Sequence, residues 1–200
     1  MKPLSRLMIL LILATLSTAP AFASTVLYTN GPMALSSAFY LDFGYVVSDS
    51  FTVAQSTVTG FDAGIWVPAG DSPASVNWAI GGSAMSGNIA SGTATLSNSY
   101  VGSNYYDFYT STASGLNVSL GAGTYWLTLS AGASTNGNWL AWDVNSGPSQ
   151  AVHNVNGNVR SEAFTIYGTS GTSTPEPGTL IMFGSGIIGL AGVLRRKINL

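Results

Sequence analysis

The stretch from residue 24 to 168 is expected to fold as an all-β domain, a single antiparallel β-sandwich of jelly-roll-like form. Three observations lead there. Short runs rich in aromatic and β-branched residues recur about every ten residues, with Gly, Ser, Asn and Pro between them. No stretch of ten or more residues between Ser24 and Thr174 carries a 3.6-residue apolar period, so helices should be rare or absent. Two segments alternate strictly with period two.

Taken along the chain, the expected strands are Val26–Tyr28, Phe39–Val47, Ser50–Val53, Val58–Val67, Val76–Ile80, Thr93–Leu96, Tyr105–Tyr109, Leu116–Leu120, Thr124–Ser130, Trp139–Val144 and Ala163–Tyr167. Alternation is clearest in the ninth and the last. Tyr125, Leu127 and Leu129 share one face against Thr124, Trp126 and Thr128 on the other, and Phe164 and Ile166 oppose Thr165 and Tyr167. Half-buried antiparallel strands have this pattern. No internal repeat of fixed period is present, which excludes solenoids and propellers. Residues 169–174, Thr-Ser-Gly-Thr-Ser-Thr, read as a flexible polar linker.

Both flanks of this body carry address signals. Lys2 and Arg6 precede an apolar run from Leu7 to Leu16, and Ala21-Phe22-Ala23 supplies small residues before a cut ahead of Ser24. Residues 1–23 thus read as a secretory signal peptide for signal peptidase. At the other flank, Pro175-Glu176-Pro177 precedes an uncharged run from Gly178 to Leu194, followed by Arg195, Arg196 and Lys197. As a helix that run would span about 25 Å, enough for a short transmembrane segment held by its cations. The two prolines make the preceding segment extended and accessible.

The order Pro-Glu-Pro, short Gly-rich apolar helix, Arg-Arg-Lys resembles the PEP-CTERM sorting signal of Gram-negative bacteria, with Ile198, Asn199 and Leu200 trailing it as a small variation. The resemblance implies recognition of residues 175–200 by an exosortase, a membrane-embedded cysteine transpeptidase that cleaves near Pro175-Glu176-Pro177. The body resembles, more loosely, small β-rich exported domains that precede the same signal. It shares with them Val26-Leu27-Tyr28, Asn30-Gly31-Pro32, Ser48-Asp49-Ser50-Phe51-Thr52 and the stretch from Gly121 to Leu127. That resemblance implies a surface or matrix protein and supplies no catalytic residue.

Charge agrees with export. Five of the six Lys and Arg lie in the flanks, and Arg160 is the body's one cation against Asp42, Asp49, Asp62, Asp71, Asp107, Asp143 and Glu162. Positive residues stay cytoplasmic, which places the body outside the inner membrane. An acidic body with one cation cannot neutralise a phosphate backbone, which argues against nucleic acid as a partner. With no cysteine, thiol nucleophiles, Cys-ligated zinc and iron–sulfur clusters are excluded.

Little in the body suggests chemistry. His153 is the only histidine, sits in an expected loop and reads as a surface residue rather than part of a triad. Acid pairs for glycoside hydrolysis would have to come from Asp42 with Asp49 or Asp62 with Asp71, acids that otherwise read as turn residues facing solvent. No cofactor is expected. A structural calcium ion could use Asp71 beside Ser72, or Asp143 with Asn145, although no calcium-loop motif is present. Aromatics remain: Trp66, Trp78, Trp126, Trp139 and Trp142 lie in strand-like segments, with Tyr100, Tyr105, Tyr106 and Tyr109 near a loop. Trp139 and Trp142 should face opposite sides of one strand, one of them stacking sugars beside Asp143.

The expectation is a non-enzymatic exported protein of the cell surface or exopolysaccharide matrix, structural or adhesive. A carbohydrate-binding module around Trp139, Trp142 and Asp143 is the alternative, and a secreted hydrolase the third.

Overall fold

A computed structural model describes residues 24–171 of the chain, all strand and loop without a helix among them. The expected signal peptide at 1–23, the end of the expected linker and the whole segment from 175 to 200 lie outside the described residues.

Thirteen strands form two sheets in which every pairing is antiparallel. They are β1 (Thr25–Thr29), β2 (Ala38–Tyr40), β3 (Val46–Val53), β4 (Ser56–Pro68), β5 (Pro73–Gly81), β6 (Ala90–Thr95), β7 (Ser97–Ser103), β8 (Tyr106–Leu120), β9 (Gly123–Ser134), β10 (Ala141–Asp143), β11 (Ala151–His153), β12 (Gly157–Val159) and β13 (Phe164–Ser170). One sheet is built around β4, which pairs with β8 on one edge and with β13 and then β10 on the other; β7, β1 and β2 lie outside these. The second sheet runs β12-β11-β3-β9-β5-β6. Strands β3 and β4 nest against β9 and β8, one pair in each sheet, the wrapped arrangement of a jelly roll.

The core lies between the sheets and follows the alternation. Leu127 and Leu129 of β9, Val47 and Phe51 of β3, Phe61 and Ile65 of β4, and Phe164 and Ile166 of β13 are all buried there. Each fully buried side chain of this size contributes roughly 1.5–3 kcal/mol relative to exposure.

The pattern breaks where β4 meets β8. Inward residues of β4 switch from Val58 to Phe61, Ala63, Ile65 and Val67, and those of β8 from Ser111 and Ala113 to Leu116, Val118 and Leu120. Both switches fall at one bulge, between Val58 and Gly60, with Gly115 at φ 79°. The expected strands Tyr105–Tyr109 and Leu116–Leu120 are therefore one strand, β8, whose phase reverses in the middle.

Other expectations need correction too. Phe39–Val47 is not one strand: Phe43 (φ 53°) and Gly44 (φ 81°) turn the chain, and Tyr45 N–H donates to Asp42 O at 2.9 Å. The expected loop around His153 contains β11, which adds to the edge of β3. Strands β7 and β12 had no signal, being rich in Ser, Asn and Gly. Thr169 and Ser170 belong to β13 rather than to a linker, and Gly171 N–H donates to Gln55 O at 2.7 Å.

Candidate functional site

The registers of four neighbouring strands bring Tyr40 (β2), Ala141 (β10), Trp66 (β4) and Phe108 (β8) into one row across the outer face of the first sheet. Directly opposed residues point the same way. Ala141 is the small member of the row, and the half-buried Trp139 packs against this cluster. Its ring meets Tyr40 edge-on at 5.1 Å and Tyr106 at 5.4 Å. Trp66 lies 4.8 Å from Phe108 and 5.7 Å from Tyr106, and Tyr40 continues to Phe43 at 6.3 Å. These contacts, edge-to-face except for the tilted Trp66–Tyr106 pair, add to the stabilisation from burial.

The result is an aromatic ridge whose rim reaches solvent. Phe43 is 76% exposed, Tyr40 43% and Tyr106 38%. A rim of this kind offers rings to sugar faces or apolar groups and presents no charge of its own.

Asp143 faces this side but does not reach solvent. Its Oδ2 accepts from Trp66 Nε1 at 2.7 Å and from Leu35 N–H at 3.0 Å, and its Oδ1 from Ala34 N–H at 2.7 Å. Burial raises its pKa against those three donors. Asp143 thus orients the Trp66 ring and anchors the Ala34–Leu35 loop; it is not placed to contact a ligand. Trp142 is likewise corrected: it is fully buried in the core and its Nε1 donates to Ala163 O at 2.9 Å. Trp139 and Trp142 do lie on opposite sides of the sheet, and Trp139 alone remains on an accessible one.

His153 is not a surface residue. It is 4% exposed, packed between Phe39 at 5.0 Å and Tyr45 at 5.3 Å, with Nδ1 accepting from the N–H groups of Val155 and Asn156. Burial lowers its pKa, so it stays neutral as a turn acceptor.

The acids are equally committed. Asp71 accepts from Ser72 N–H, Asn136 N–H and Thr135 Oγ1 on Oδ1, and from Ser134 Oγ and Asn138 Nδ2 on Oδ2. Burial works against ionisation there, but the donors from Ser134, Asn138, Ser72 and Thr135 outweigh it and hold the carboxyl well below the usual range. Asp71 and Asp143, the candidate calcium ligands, thus spend their lone pairs on protein donors. Asp62 accepts from Thr112 Oγ1 at 2.6 Å and Tyr167 Oη at 2.7 Å, which pushes the Tyr167 pKa up to about 12. Glu162 is fully buried with neither carboxyl oxygen bonded; burial, then Asp49 and Asp143, raise its pKa well above the ordinary value. Among the described residues no group of three or more His, Cys, Asp or Glu could hold a metal ion.

Neither of two surface clefts assembles an acid pair. One, of about 500 Å³ between Thr29–Ala34 and Asn145–Pro148, has no titratable side chain in its lining. The other, of about 490 Å³, holds only the bonded Asp62 and Tyr167.

Of the ridge, the sequence offers Trp66, Tyr106 and Trp139 among its aromatic candidates, but not Tyr40, Phe43 or Phe108. The density of rings at Phe39, Tyr40, Phe43 and Tyr45 was a signal, but the register that sets Tyr40 beside Trp66 joins strands far apart in the chain.

Ser24, the first described residue, is exposed and its hydroxyl shares a hydrogen bond with Thr59 Oγ1 at 2.9 Å. Ala21 and Ala23 lie outside the described residues, as do Pro175, Glu176, Pro177, Arg195, Arg196, Lys197 and the expected helix 178–194. Among the described residues no helix is long and apolar enough to cross a membrane.

No curated protein matches the chain. Residues 173–197, behind the β-sandwich, match the PEP-CTERM protein-sorting motif, a signal that implies an exported protein processed at the membrane through an exosortase-like system.

Proposed function

We propose that the β-sandwich is a non-enzymatic structural or adhesive component delivered to the cell surface or the exopolysaccharide matrix, and that the aromatic ridge is its contact surface. The observation that carries this reading is the sorting motif at residues 173–197 behind a body whose carboxylates hold its own loops. Membrane helix and tail would hold the protein until cleavage near Pro175-Glu176-Pro177. The body contributes the surface that stays behind in the matrix.

Carbohydrate binding is the second reading, favoured by the exposed rim of Tyr40, Phe43 and Tyr106 around Trp139. Ring faces stack on sugars without needing charge, which suits this surface. Trp142 and Asp143 would act only by supporting Trp139 and Trp66 from below. A secreted hydrolase is the least supported, since neither cleft pairs two acids.

The test follows the protein in a host that carries an exosortase-like enzyme. Wild type should lose its tail and leave the membrane, whereas a variant with Pro175, Glu176 and Pro177 changed to Ala should stay there. Retention of the released protein on extracellular polysaccharide, lost with Trp139→Ala and Phe43→Ala together, would support the adhesive reading. Equal retention of that variant would remove the ridge from the account.

A further inference from the structure

Strands β6 and β7 form one continuous edge that runs along both sheets. From Ala90 to Ser103 the chain reads Ala-Ser-Gly-Thr-Ala-Thr-Leu-Ser-Asn-Ser-Tyr-Val-Gly-Ser, without a charged residue or a proline. Among the described residues β6 pairs only with β5, and β7 only with β8. Leu96, 8% exposed, pins the crossover between the sheets, and its N–H donates to Ala74 O at 2.9 Å. The outer backbone groups of both strands therefore face away from the molecule.

Open edges are templates for strand addition, and proteins that stay monomeric guard them with charges, prolines or short strands. The other edges here are short: β2 and β12 have three residues each and β1 has five, with Arg160 directly after β12. The β6–β7 edge is longer than these and unguarded, and longer also than the Ala113–Leu120 half of β8, which pairs with β4 alone. Its single irregularity lies between Tyr100 and Gly102. Tyr100 (57% exposed) and Val101 (48%) add apolar area at the same place.

Surface charge gives an independent reason for a like partner. All seven acids of residues 24–171 are buried or half-buried, and only Arg160 is exposed. Residues 90–103 themselves carry no charge, so a second copy meets no like charge along this edge, within a domain that is acidic as a whole.

The geometry points to a second copy of this chain as the occupant of the β6–β7 edge. In a two-fold arrangement centred near Leu96, β6 of one copy pairs antiparallel with β7 of the other, so that each sheet of one copy continues into the opposite sheet of its partner. The pairing uses main-chain groups and needs neither the ridge nor the tail, so it stands apart from the adhesive reading.

Sedimentation of the full chain in detergent tests it, with a Ser99→Lys, Val101→Lys variant beside a control carrying Asn158→Lys and Val155→Lys. Asn158 and Val155 are exposed but lie at the far edge of the second sheet, so the control adds the same charge away from β6 and β7. Wild type and control should form concentration-dependent dimers, and the edge variant should associate at least tenfold more weakly. A monomeric wild type overturns the proposal. So does an edge variant that dimerises as tightly as wild type, because assembly then belongs to the tail or another face. Should the edge variant lose its circular dichroism, amide exchange on wild type decides: protection of β6 and β7 rising with protein concentration supports the pairing, and protection independent of concentration overturns it.

Discussion

The backbone N–H of Glu162 donates to Asp49 Oδ2 at 2.6 Å, while the Glu162 carboxyl beside it has no hydrogen bond at all. Asp49 sits on β3 of the second sheet, and Glu162 bridges Val144, next to β10 of the first. Asn30 Nδ2 ties the two together, donating to Asp49 Oδ2 and to Glu162 O. One end of the sandwich is thus closed by a buried acid that accepts donors and a second that has none.

Stability should fall as pH rises from 5 to 8. Glu162 is raised by burial, then by Asp49 and Asp143, and Asp49 is raised to about 6 by burial against the N–H donors of Glu162 and Ser50. A carboxyl whose pKa is higher folded than unfolded holds a proton that the unfolded chain releases. Its stabilisation is complete below the unfolded value and is lost as pH climbs through the folded one. For Asp49 this corresponds to about 3 kcal/mol. Urea unfolding should show the decline, and Glu162→Gln, which cannot ionise, should make it shallower; an equal slope in the variant would sink the assignment.

Asp71→Ala should destabilise by about 3 kcal/mol, because donors from Ser134, Asn138, Ser72, Thr135 and Asn136 lose a charged acceptor in one buried loop. Ser134→Ala should cost about 1 kcal/mol. Denaturant titration of both variants measures the ratio, and equal small losses would mean that water replaces the carboxylate.

The two tryptophans should separate stability from binding. Trp142→Ala empties a fully buried core position and should cost about 3–5 kcal/mol. Trp139→Ala removes a half-buried ring from the outer face and should cost less than half of that while changing ligand retention. Thermal unfolding beside a polysaccharide retention assay distinguishes them; the reverse order would contradict the placement of the rings.

Gly60→Ala should loosen the β4–β8 pairing, since a Cβ there would overlap the Ala113 carbonyl oxygen. That oxygen belongs to a strand backbone and cannot swing away, so a loss of about 1–3 kcal/mol is expected. Amide exchange of β4 and β8 near the bulge should accelerate; unchanged protection would show that the bulge relaxes.

Legibility tracked how local the determinant is. The strand character of β9 and β13 was readable because Leu127, Leu129, Phe164 and Ile166 alternate within a few residues, and each is buried. The turn at Phe43 and Gly44 and the phase reversal at Gly115 were not readable, because a bulge is dictated by the partner strand. The acids were misjudged for the same reason. Near turns Asp usually faces water, yet Asp71 turns inward because Ser134, Asn138 and Thr135, more than sixty residues away, supply its donors.

By itself the sequence determined the address and the class: a sorting motif is a linear signal read by a processing enzyme, and period-two alternation is a property of neighbouring residues. Only the tertiary structure decided which rings meet, which acids are buried and which strands are left as edges. Tyr40 reaches Trp139, and Asp49 reaches Glu162, through antiparallel registers between strands distant in the chain. Register is set by the packing of whole faces, and no local pattern encodes it.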